Sequence, residues 1–276
     1  MHNTIVKKPT IIDIYQIDAF TDRPFSGNPA AVCPLDHWYE DDFLQQIANE
    51  NNLSETAYFV AENDGYRLRW FTPTVEVQLC GHATLAAAWV LFNQLNYPHK
   101  SITFFTLSGE LIVTKEGDGW LSMDFPSKST SVIDEPDGLF SALGLKPDQV
   151  KQICKSDDIL IEVDHEDIVK NLNPNFNKLI QIPTRGVIVT SRSKKFDFIS
   201  RWFGPNVGVN EDPVTGSAHT TLVPYWIKQI EKPIFLIQQG GSRKGQLKAS
   251  LSTNQQRVYL LGQACLVMHG KLMISL

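Results

Sequence analysis

Residues 69–77 read RWFTPTVEV, and the same pattern returns at residues 201–209 as RWFGPNVGV. Six of the nine positions are identical, and a tryptophan is among them. A glycine follows each copy, Gly81 in the first and Gly216 in the second, and opens an apolar segment. The copies lie too far apart for a solenoid, whose repeats span roughly 20–50 residues. The repetition therefore predicts two duplicated half-domains.

The segments that follow the two glycines are predicted to be buried helices. Residues 83–92 have almost no polar face, and a helix that is apolar all round is buried on every side or lies in a membrane. A bilayer requires about 20 such residues, which this segment does not provide. We therefore expect a central helix near residues 82–95 in one β-rich half and near residues 217–230 in the other.

The N-termini of these two helices would form an anion site if they met. The start of a helix offers unpaired N–H groups and about half a positive charge, which suits an anion such as a substrate carboxylate. Function is therefore expected among the polar residues near the two starts. These are His82, Thr84, Asp212, Thr215, Ser217 and His219.

Composition restricts the classes of partner. The chain has 276 residues, a net charge of −5 and no basic stripe, whereas a nucleic-acid surface leaves a basic footprint. The four cysteines show no C-x-x-C spacing and are expected to be free thiols. Residues 1–9 contain two lysines but no apolar signal core. We expect a cytoplasmic protein with neither a nucleic-acid nor a membrane partner.

Glu55 is the first candidate for chemistry. It precedes an apolar run, residues 57–60, at the start of a predicted strand, where its carboxylate would be poorly solvated. A carboxylate in such surroundings takes up a proton more readily and suits a general base. The alternative is a surface or capping carboxylate at the end of a strand.

Asp212 and His82 are the next candidates, each with a structural alternative. Asp212 lies shortly before the second central helix, where it could serve as a helix cap. His82 lies in the first turn of the other helix, where a protonated imidazole is unfavourable, so we expect it to be neutral and hydrogen-bonded. Its alternative is a purely structural hydrogen bond. For His219, one turn deeper in its helix, a core role is favoured.

Cys80 and Thr215 occupy the same place in the two copies, immediately before the helix glycine. Two cysteines at facing helix starts would have lowered pKa values and would suit a two-base racemase, a role that threonine cannot perform. Cys80 and His82 could also begin a metal site. Zinc sites draw three or four ligands, however, and nothing nearby in the sequence completes the set. We therefore predict no metal.

Periodicity and turn residues predict the remaining elements. Residues 126–131 are the predicted linker, which gives half-domains of residues 1–126 and 127–276 and leaves open a return of the final strand to the first half. In the first half, strands are expected at residues 11–20, 30–33, 53–60, 66–71, 102–107, 110–115 and 120–125, with a helix at 41–49. In the second half, strands are expected near 159–163, 179–189, 234–239, 246–251, 256–261 and 264–269, with a helix near 195–202.

Six short motifs occur in order along nearly the whole chain. They are DAFT (18–21), GNP (27–29), SETA (54–57), CGHAT (80–84), DPVTGSA (212–218) and QG (239–240). Together they resemble the motifs of the PhzF family, the phenazine biosynthesis-like isomerases. That family is similar in fold to diaminopimelate epimerase: an α/β protein of two pseudo-symmetric halves, each a curled, mostly antiparallel sheet around a central apolar helix. The resemblance implies an active site in the cleft between the halves.

The resemblance also implies an isomerisation without metal or organic cofactor. Glu55 would remove a proton from one carbon and return it to another, with Asp212 and His82 handling protons and substrate. The substrate, a small carboxylate, would be bound by Gly81, Gly216, Ser217, Thr215 and Cys80. Contacts near Gln246 are not carried over, because many relatives have arginine there. A homodimer is compatible with the family.

Two other functions are weighed against this isomerase. One is an amino-acid racemase or epimerase of the two-base type, which Cys80 alone does not complete. The other is a non-catalytic binding protein on the same scaffold. The joint presence of Glu55, His82, Asp212 and Ser217 favours the enzyme. Neither the substrate nor a role in phenazine synthesis follows from the architecture.

Overall fold

The computed structural model describes residues 9–274, so nearly all of the segment for which no signal core was predicted lies outside the described residues. The first half of the chain contains strands β1 (Thr10–Ala19), β2 (Asn28–Pro34), β3 (Glu55–Glu62), β4 (Gly65–Phe71), β5 (Glu76–Val77), β6 (Ser101–Thr106), β7 (Gly109–Lys115) and β8 (Leu121–Pro126). Its helices are α1 (Asp41–Asn51) and α2 (Gly81–Asn93).

The second half is built from the same kinds of element. Its strands are β9 (Ser131–Val132), β10 (Val150–Lys155), β11 (Ile159–Val163), β12 (Val187–Arg192), β13 (Phe198–Gly204), β14 (Val209–Asp212), β15 (Phe235–Gln239), β16 (Gly245–Leu251), β17 (Arg257–Gly262) and β18 (Ala264–Ile274). Its helices are α3 (Leu139–Leu143), α4 (Glu166–Asn171), α5 (Phe176–Leu179) and α6 (Gly216–Trp226).

Within the described residues, these strands form one continuous, mostly antiparallel sheet that curls around the two central helices. The parallel pairings repeat between the halves: β2 with β3 corresponds to β11 with β12, and β4 with β6 corresponds to β13 with β15. The last strand, β18, pairs with β1, and β17 pairs with β8. The sheet therefore crosses between the halves twice, and the division at residue 126 stays a prediction.

Helix α2 is the core of the first half. Its alanine-rich sequence favours the helix, and ten of its thirteen side chains are buried, from His82 through Phe92 with Trp89 excepted. They pack with Trp70 and Phe104 of the surrounding sheet in one apolar cluster. Burial of each leucine, valine or phenylalanine side chain there contributes about 1.5–3 kcal/mol. The helix begins one residue before and ends two residues before the predicted bounds.

Helix α6 is the core of the second half, and it is shorter than predicted. Pro224 lies inside it and has no N–H group for the carbonyl of Thr220. The backbone N–H of Lys128, in the predicted linker, donates to that carbonyl instead at 3.0 Å. The helix ends at Trp226, two residues after the proline, rather than near residue 230.

The predicted helix near residues 195–202 is wrong, because most of that segment belongs to strand β13. All seven residues of β13 are buried, so the strand lacks the alternation of polar and apolar residues that identifies a half-exposed strand. It pairs with β12 on one side and with β14 and β15 on the other. The predicted strand at 179–189 is wrong in its first part, where α5 ends at Leu179 and a turn-rich segment follows.

No helix among residues 9–274 is long and apolar enough to cross a membrane.

Candidate active site

The starts of the two central helices meet head to head. A Cβ atom added to Gly81 would lie 3.4 Å from the Cα of Gly216, and the reverse distance is the same. The residues at the two N-cap positions, Cys80 and Thr215, do not cap their helices with their side chains. Two sets of unpaired donors and two positive helix ends therefore point into the space beside the glycines.

A cavity of about 290 Å³ lies at this junction. It brings together all eight residues selected from the sequence as catalytic or substrate-binding: Glu55, Cys80, Gly81, His82, Asp212, Thr215, Gly216 and Ser217. The two other polar candidates do not line it. Thr84 donates its hydroxyl to the carbonyl of Cys80 at 2.6 Å, and His219 donates Nδ1–H to the carbonyl of Thr215 at 2.9 Å. Each of these hydrogen bonds lies within the first turn of its own helix.

Glu55 begins strand β3 and projects into the cavity beside the start of α2. Its side chain is 16% exposed, and its Oε2 lies 3.0 Å from Nε2 of His82. The ring N–H is not aligned on that oxygen, and both atoms are buried without an aligned hydrogen-bond partner among the described residues. On the other side of the imidazole, Nδ1 lies 3.5 Å from Sγ of Cys80. The histidine therefore lies between a carboxylate and a thiol.

The surroundings of His82 favour its protonated form, whereas the sequence predicted a neutral imidazole. Burial lowers the pKa of His82, but Cys80 and Glu55 on either side outweigh burial and hold this pKa well above its usual value. Burial and the nearby Glu55 raise the pKa of the Cys80 thiol to about 11, so this thiol is uncharged at neutral pH. The Glu55 carboxylate is therefore the partner that keeps the imidazole protonated, against the unfavourable helix dipole.

Asp212 ends strand β14 and enters the cavity from the second half. Its Oδ1 accepts from Nδ2 of Asn28 at 2.7 Å, and its Oδ2 accepts from Oγ1 of Thr215 at 2.6 Å. Burial, helped by Glu55, raises the pKa of Asp212 to about 6, although His82 and the two hydrogen bonds act against it. The carboxylate binds side chains and not the helix N–H groups. The helix-capping alternative for Asp212 does not hold.

The strand register relates the two walls of the cavity to each other. Strand β3 places Thr56 opposite Phe71 of the first copy, and β12 places Val187 opposite Phe203 of the second. Position 55 in the first half therefore corresponds to position 186 in the second, which is a glycine. A Cβ on Gly186 would lie 2.5 Å from the ring of Trp202. The second half thus offers no carboxylate equivalent to Glu55.

Asp212 likewise has no acidic counterpart in the first half. Trp70 pairs with Val77 where Trp202 pairs with Asp212, so the equivalent position is apolar. Each half contributes one carboxylate to the cavity, and the two come from different positions of the repeat. The wall is therefore chemically asymmetric although the scaffold is pseudo-symmetric.

Sequence reasoning missed several residues of the cavity and its support. Arg185 and Trp202 line it, and the buried Asp158 accepts from both side chains. Trp202 belongs to the repeated motif at residues 201–209, and that repetition could have identified it. The strand register places Arg185 at the position of Ser54 in the first half. Asn28 lay in one of the short motifs but had no predicted role.

Three potential metal ligands, from Glu55, Cys80 and His82, lie within 4.8 Å of one another. The thiol lies beside Nδ1 of the imidazole, and the carboxylate lies beside Nε2. The thiol carries its proton at neutral pH, and a metal ion would have to displace that proton. The absence of a metal at this site stays a prediction.

Comparisons with known proteins identify the family of this chain. A family model described as phenazine biosynthesis-like protein, PhzC-PhzF, matches residues 17–270. An uncharacterized isomerase of Pseudomonas aeruginosa is 55% identical over 261 residues, which cover 95% of this chain and 98% of that protein.

Solved structures agree with the family and the fold. A crystal structure of a PhzF family protein from Enterococcus faecalis superposes with a TM-score of 0.92 at 39% identity, covering 96% of this chain and 100% of the other. A hydroxyproline epimerase from Agrobacterium vitis superposes with a TM-score of 0.59 at 9% identity, covering 96% and 93%, and is similar in fold alone. The chain therefore belongs to the phenazine biosynthesis-like PhzF family, and with it to the isomerases.

Proposed function

We propose that this protein is a cofactor-independent isomerase of a small carboxylic acid, in which Glu55 moves a proton from one carbon to another. The observation that carries the proposal is the position of Glu55. Its carboxylate lies in the cavity with an oxygen that has no aligned hydrogen-bond partner, and the corresponding position of the other half is Gly186. Glu55 thus has no carboxylate at the matching position of the other half, where a symmetric two-base enzyme would carry one.

The proton balance requires no other reactant. The Glu55 carboxylate accepts a proton from one substrate carbon, which leaves a delocalised anion, and the resulting carboxylic acid returns the proton to a second carbon. His82, protonated beside Glu55, stabilises the carboxylate before and after the transfer. The enzyme ends the cycle in the state in which it began it.

The helix starts at Gly81 and Gly216 stabilise the negative charge that develops on the substrate. Their uncapped N–H groups are fixed in place before the substrate binds, and such donors are most effective in a site from which water is excluded. The substrate carboxylate binds at these donors, and this contact orients the reacting carbons toward Glu55. Cys80, Thr215 and Ser217 complete the wall around the bound acid.

Exchange of a carbon-bound proton with solvent tests the proposal. The protein is incubated in deuterated water with a library of small carboxylic acids, and mass spectrometry records the deuterium gained by each acid. Glu55→Gln is expected to abolish exchange with a folded chain, whereas Glu110→Gln, on an exposed strand position, leaves exchange unchanged. Exchange that survives in Glu55→Gln would exclude Glu55 as the proton carrier.

The second candidate function is a two-base epimerase, and one observation favours it. Asp212 faces the cavity from the opposite half with a pKa of about 6, which suits a second acid or base. Chiral chromatography of each acid after incubation distinguishes the two: inversion of a stereocentre supports the epimerase, and a shifted double bond supports the proposed isomerase. The cytoplasmic location and the homodimer stay predictions.

A further inference from the structure

Arg185 lies in the wall of the cavity opposite Glu55. The register of β12 against β13 puts it at the position that Ser54 occupies in the first half, and its side chain is 38% exposed. Among the described residues that line the cavity, Arg185 alone carries a permanent positive charge. The proposed function gives this residue no role.

The guanidinium group is held by a buried carboxylate and by an aromatic ring. Its Nε donates to Oδ1 of Asp158 at 2.8 Å, and Nη2 donates to Oδ2 of the same carboxylate. Asp158 is 2% exposed and also accepts from Nε1 of Trp202 at 3.0 Å. The guanidinium lies over the Trp202 ring, 5.6 Å from its centroid. These contacts fix the plane of the fork, and Nη1 takes no part in the hydrogen bonds to Asp158.

Arg185 also contacts Ser217, in the first turn of α6. Nη1 and Nη2 both donate to Oγ of Ser217 at 3.2 Å. The hydroxyl oxygen is thus occupied as an acceptor, and its hydrogen has no acceptor among the described residues. A hydroxyl that receives two charged donors is polarised and becomes a better donor itself. Arg185 and Ser217 together present N–H and O–H donors toward the cavity.

We propose that Arg185, through Nη1 and the Ser217 hydroxyl, selects substrates with an ionised carboxylate over neutral analogues of the same shape. Backbone N–H groups at the helix starts bind the oxygen of a carboxylate or of a carboxamide, and their helix dipoles add only a modest preference for the anion. A guanidinium discriminates strongly, because its hydrogen bonds to a carboxylate are charge-assisted. The inference rests on the proposed function for taking this cavity as the substrate site.

A structural alternative is that Arg185 only neutralises the buried Asp158. That role predicts a loss of stability in Arg185→Gln without any change in ligand preference. A second variant separates the two roles. Asp158→Asn combined with Arg185→Gln removes both charges of the pair, so that no buried charge is left without its partner. This double variant is expected to fold and to lack the preference for a carboxylate.

Benzoate and benzamide serve as probes, because they share a shape and differ in charge. Isothermal titration calorimetry at pH 7.5 is expected to show wild-type protein binding benzoate at least about tenfold more tightly than benzamide. In Arg185→Gln and in the double variant, the ratio falls to within about threefold. Arg257→Gln is the matched control, since Arg257 is 41% exposed and paired with Asp124 outside the cavity.

Two outcomes would overturn the inference: an unchanged ratio in the folded double variant, or a wild-type protein that shows no preference or binds neither probe. Glu55→Gln separates a failure of this inference from a failure of the proposed function. This variant is expected to lose proton exchange, which tests the proposed function, and to keep the preference for benzoate, which tests the role of Arg185. A wild-type protein with the Arg185-dependent preference but no exchange on any acid would reject the proposed function and leave carboxylate selection by Arg185 standing.

Discussion

Gly186 lies at the position in the second half that Glu55 occupies in the first, directly against the ring of Trp202. A Cβ atom there would approach the ring to 2.5 Å, and the ring itself is fixed by its hydrogen bond to Asp158. The duplicated scaffold thus has room for an acidic side chain at this position on one wall only. The tight contact between Gly186 and Trp202 therefore makes the two walls of the cavity different, in addition to the different acidic residues that they carry.

Gly186→Ala is expected to destabilise the protein by about 1–3 kcal/mol, because the new methyl group overlaps a ring that cannot move freely. Urea unfolding measures the change in free energy. Gly117→Ala is the matched control, since a Cβ at Gly117 meets nothing within 4 Å and is expected to change stability by less than about 0.5 kcal/mol. Equal stability of the two variants would contradict the packing argument.

The Glu55–His82 pair is expected to stabilise the fold most at mildly acidic pH. The folded pKa of His82 is raised above its unfolded value, so the contribution is fully present below the unfolded pKa of about 6.5 and is lost as pH rises through the folded pKa. The difference in unfolding free energy between wild type and His82→Gln, on the order of 1 kcal/mol, should be larger at pH 6 than at pH 10.

Urea titrations at these two pH values measure that difference. His37→Gln, a change at an exposed histidine outside the cavity, is the control for general effects of pH. A wild-type advantage over His82→Gln that grows as pH rises would show that the imidazole is neutral in the folded protein.

The acid limb of the pH–activity profile is expected to report Asp212. Its pKa is raised to about 6, so activity that depends on the carboxylate increases as pH rises through about 6. Thr215→Val removes the 2.6 Å hydrogen bond to Oδ2, a contact that lowers this pKa, and should move the acid limb to higher pH. Thr215→Ser retains the hydroxyl and should leave the limb in place. Proton exchange rates between pH 4.5 and 8 provide the measurement. A shift of the acid limb to lower pH in Thr215→Val would contradict this prediction.

The two copies of the repeat carry equivalent ion pairs of unequal burial. Arg201 binds Glu211 through Nε and Nη2, both at 2.7 Å, and Arg69 binds Glu76 in the same way. Arg201 is 8% exposed and also donates to the carbonyl of Leu172, whereas Arg69 is 18% exposed.

Arg201→Met is therefore expected to destabilise by about 1–3 kcal/mol, because the half-buried Glu211 carboxylate loses its partner and the carbonyl of Leu172 loses a charged donor, and Arg69→Met by less. Thermal unfolding of both variants followed by circular dichroism compares them directly. An equal or larger loss for Arg69→Met would mean that burial does not determine the strength of these pairs.

The repeat was informative because its two copies carry strong, local signals. Continuous apolar runs after Gly81 and Gly216 could only be buried helices, and two buried helices of a duplicated chain can meet at their starts. The same repeat also argues against the helix predicted near 195–202. Residues 69–71 are predicted as strand, and their copies at 201–203 carry the same three residues.

Other parts of the structure left no local signal. Helices α3, α4 and α5 have four to six residues each, too few for a helical period to be recognised. Arg185 and Asp158 meet through pairing of strands that are distant in sequence, and neither lies in a recognisable motif. The charge of His82 depends on Glu55, which lies 27 residues earlier in the chain. The helix dipole alone predicts a neutral imidazole.

The pairing of β18 with β1 has a consequence for biosynthesis. It joins Thr10 to Ile274 and Ala19 to Ala264, so β1 leaves the ribosome long before the strand that pairs with one of its edges. Until β18 has been translated, that edge of β1 stays unpaired, a state that invites pairing with other chains. Ribosome-bound intermediates of this protein are accordingly expected to need chaperone protection until β18 has emerged.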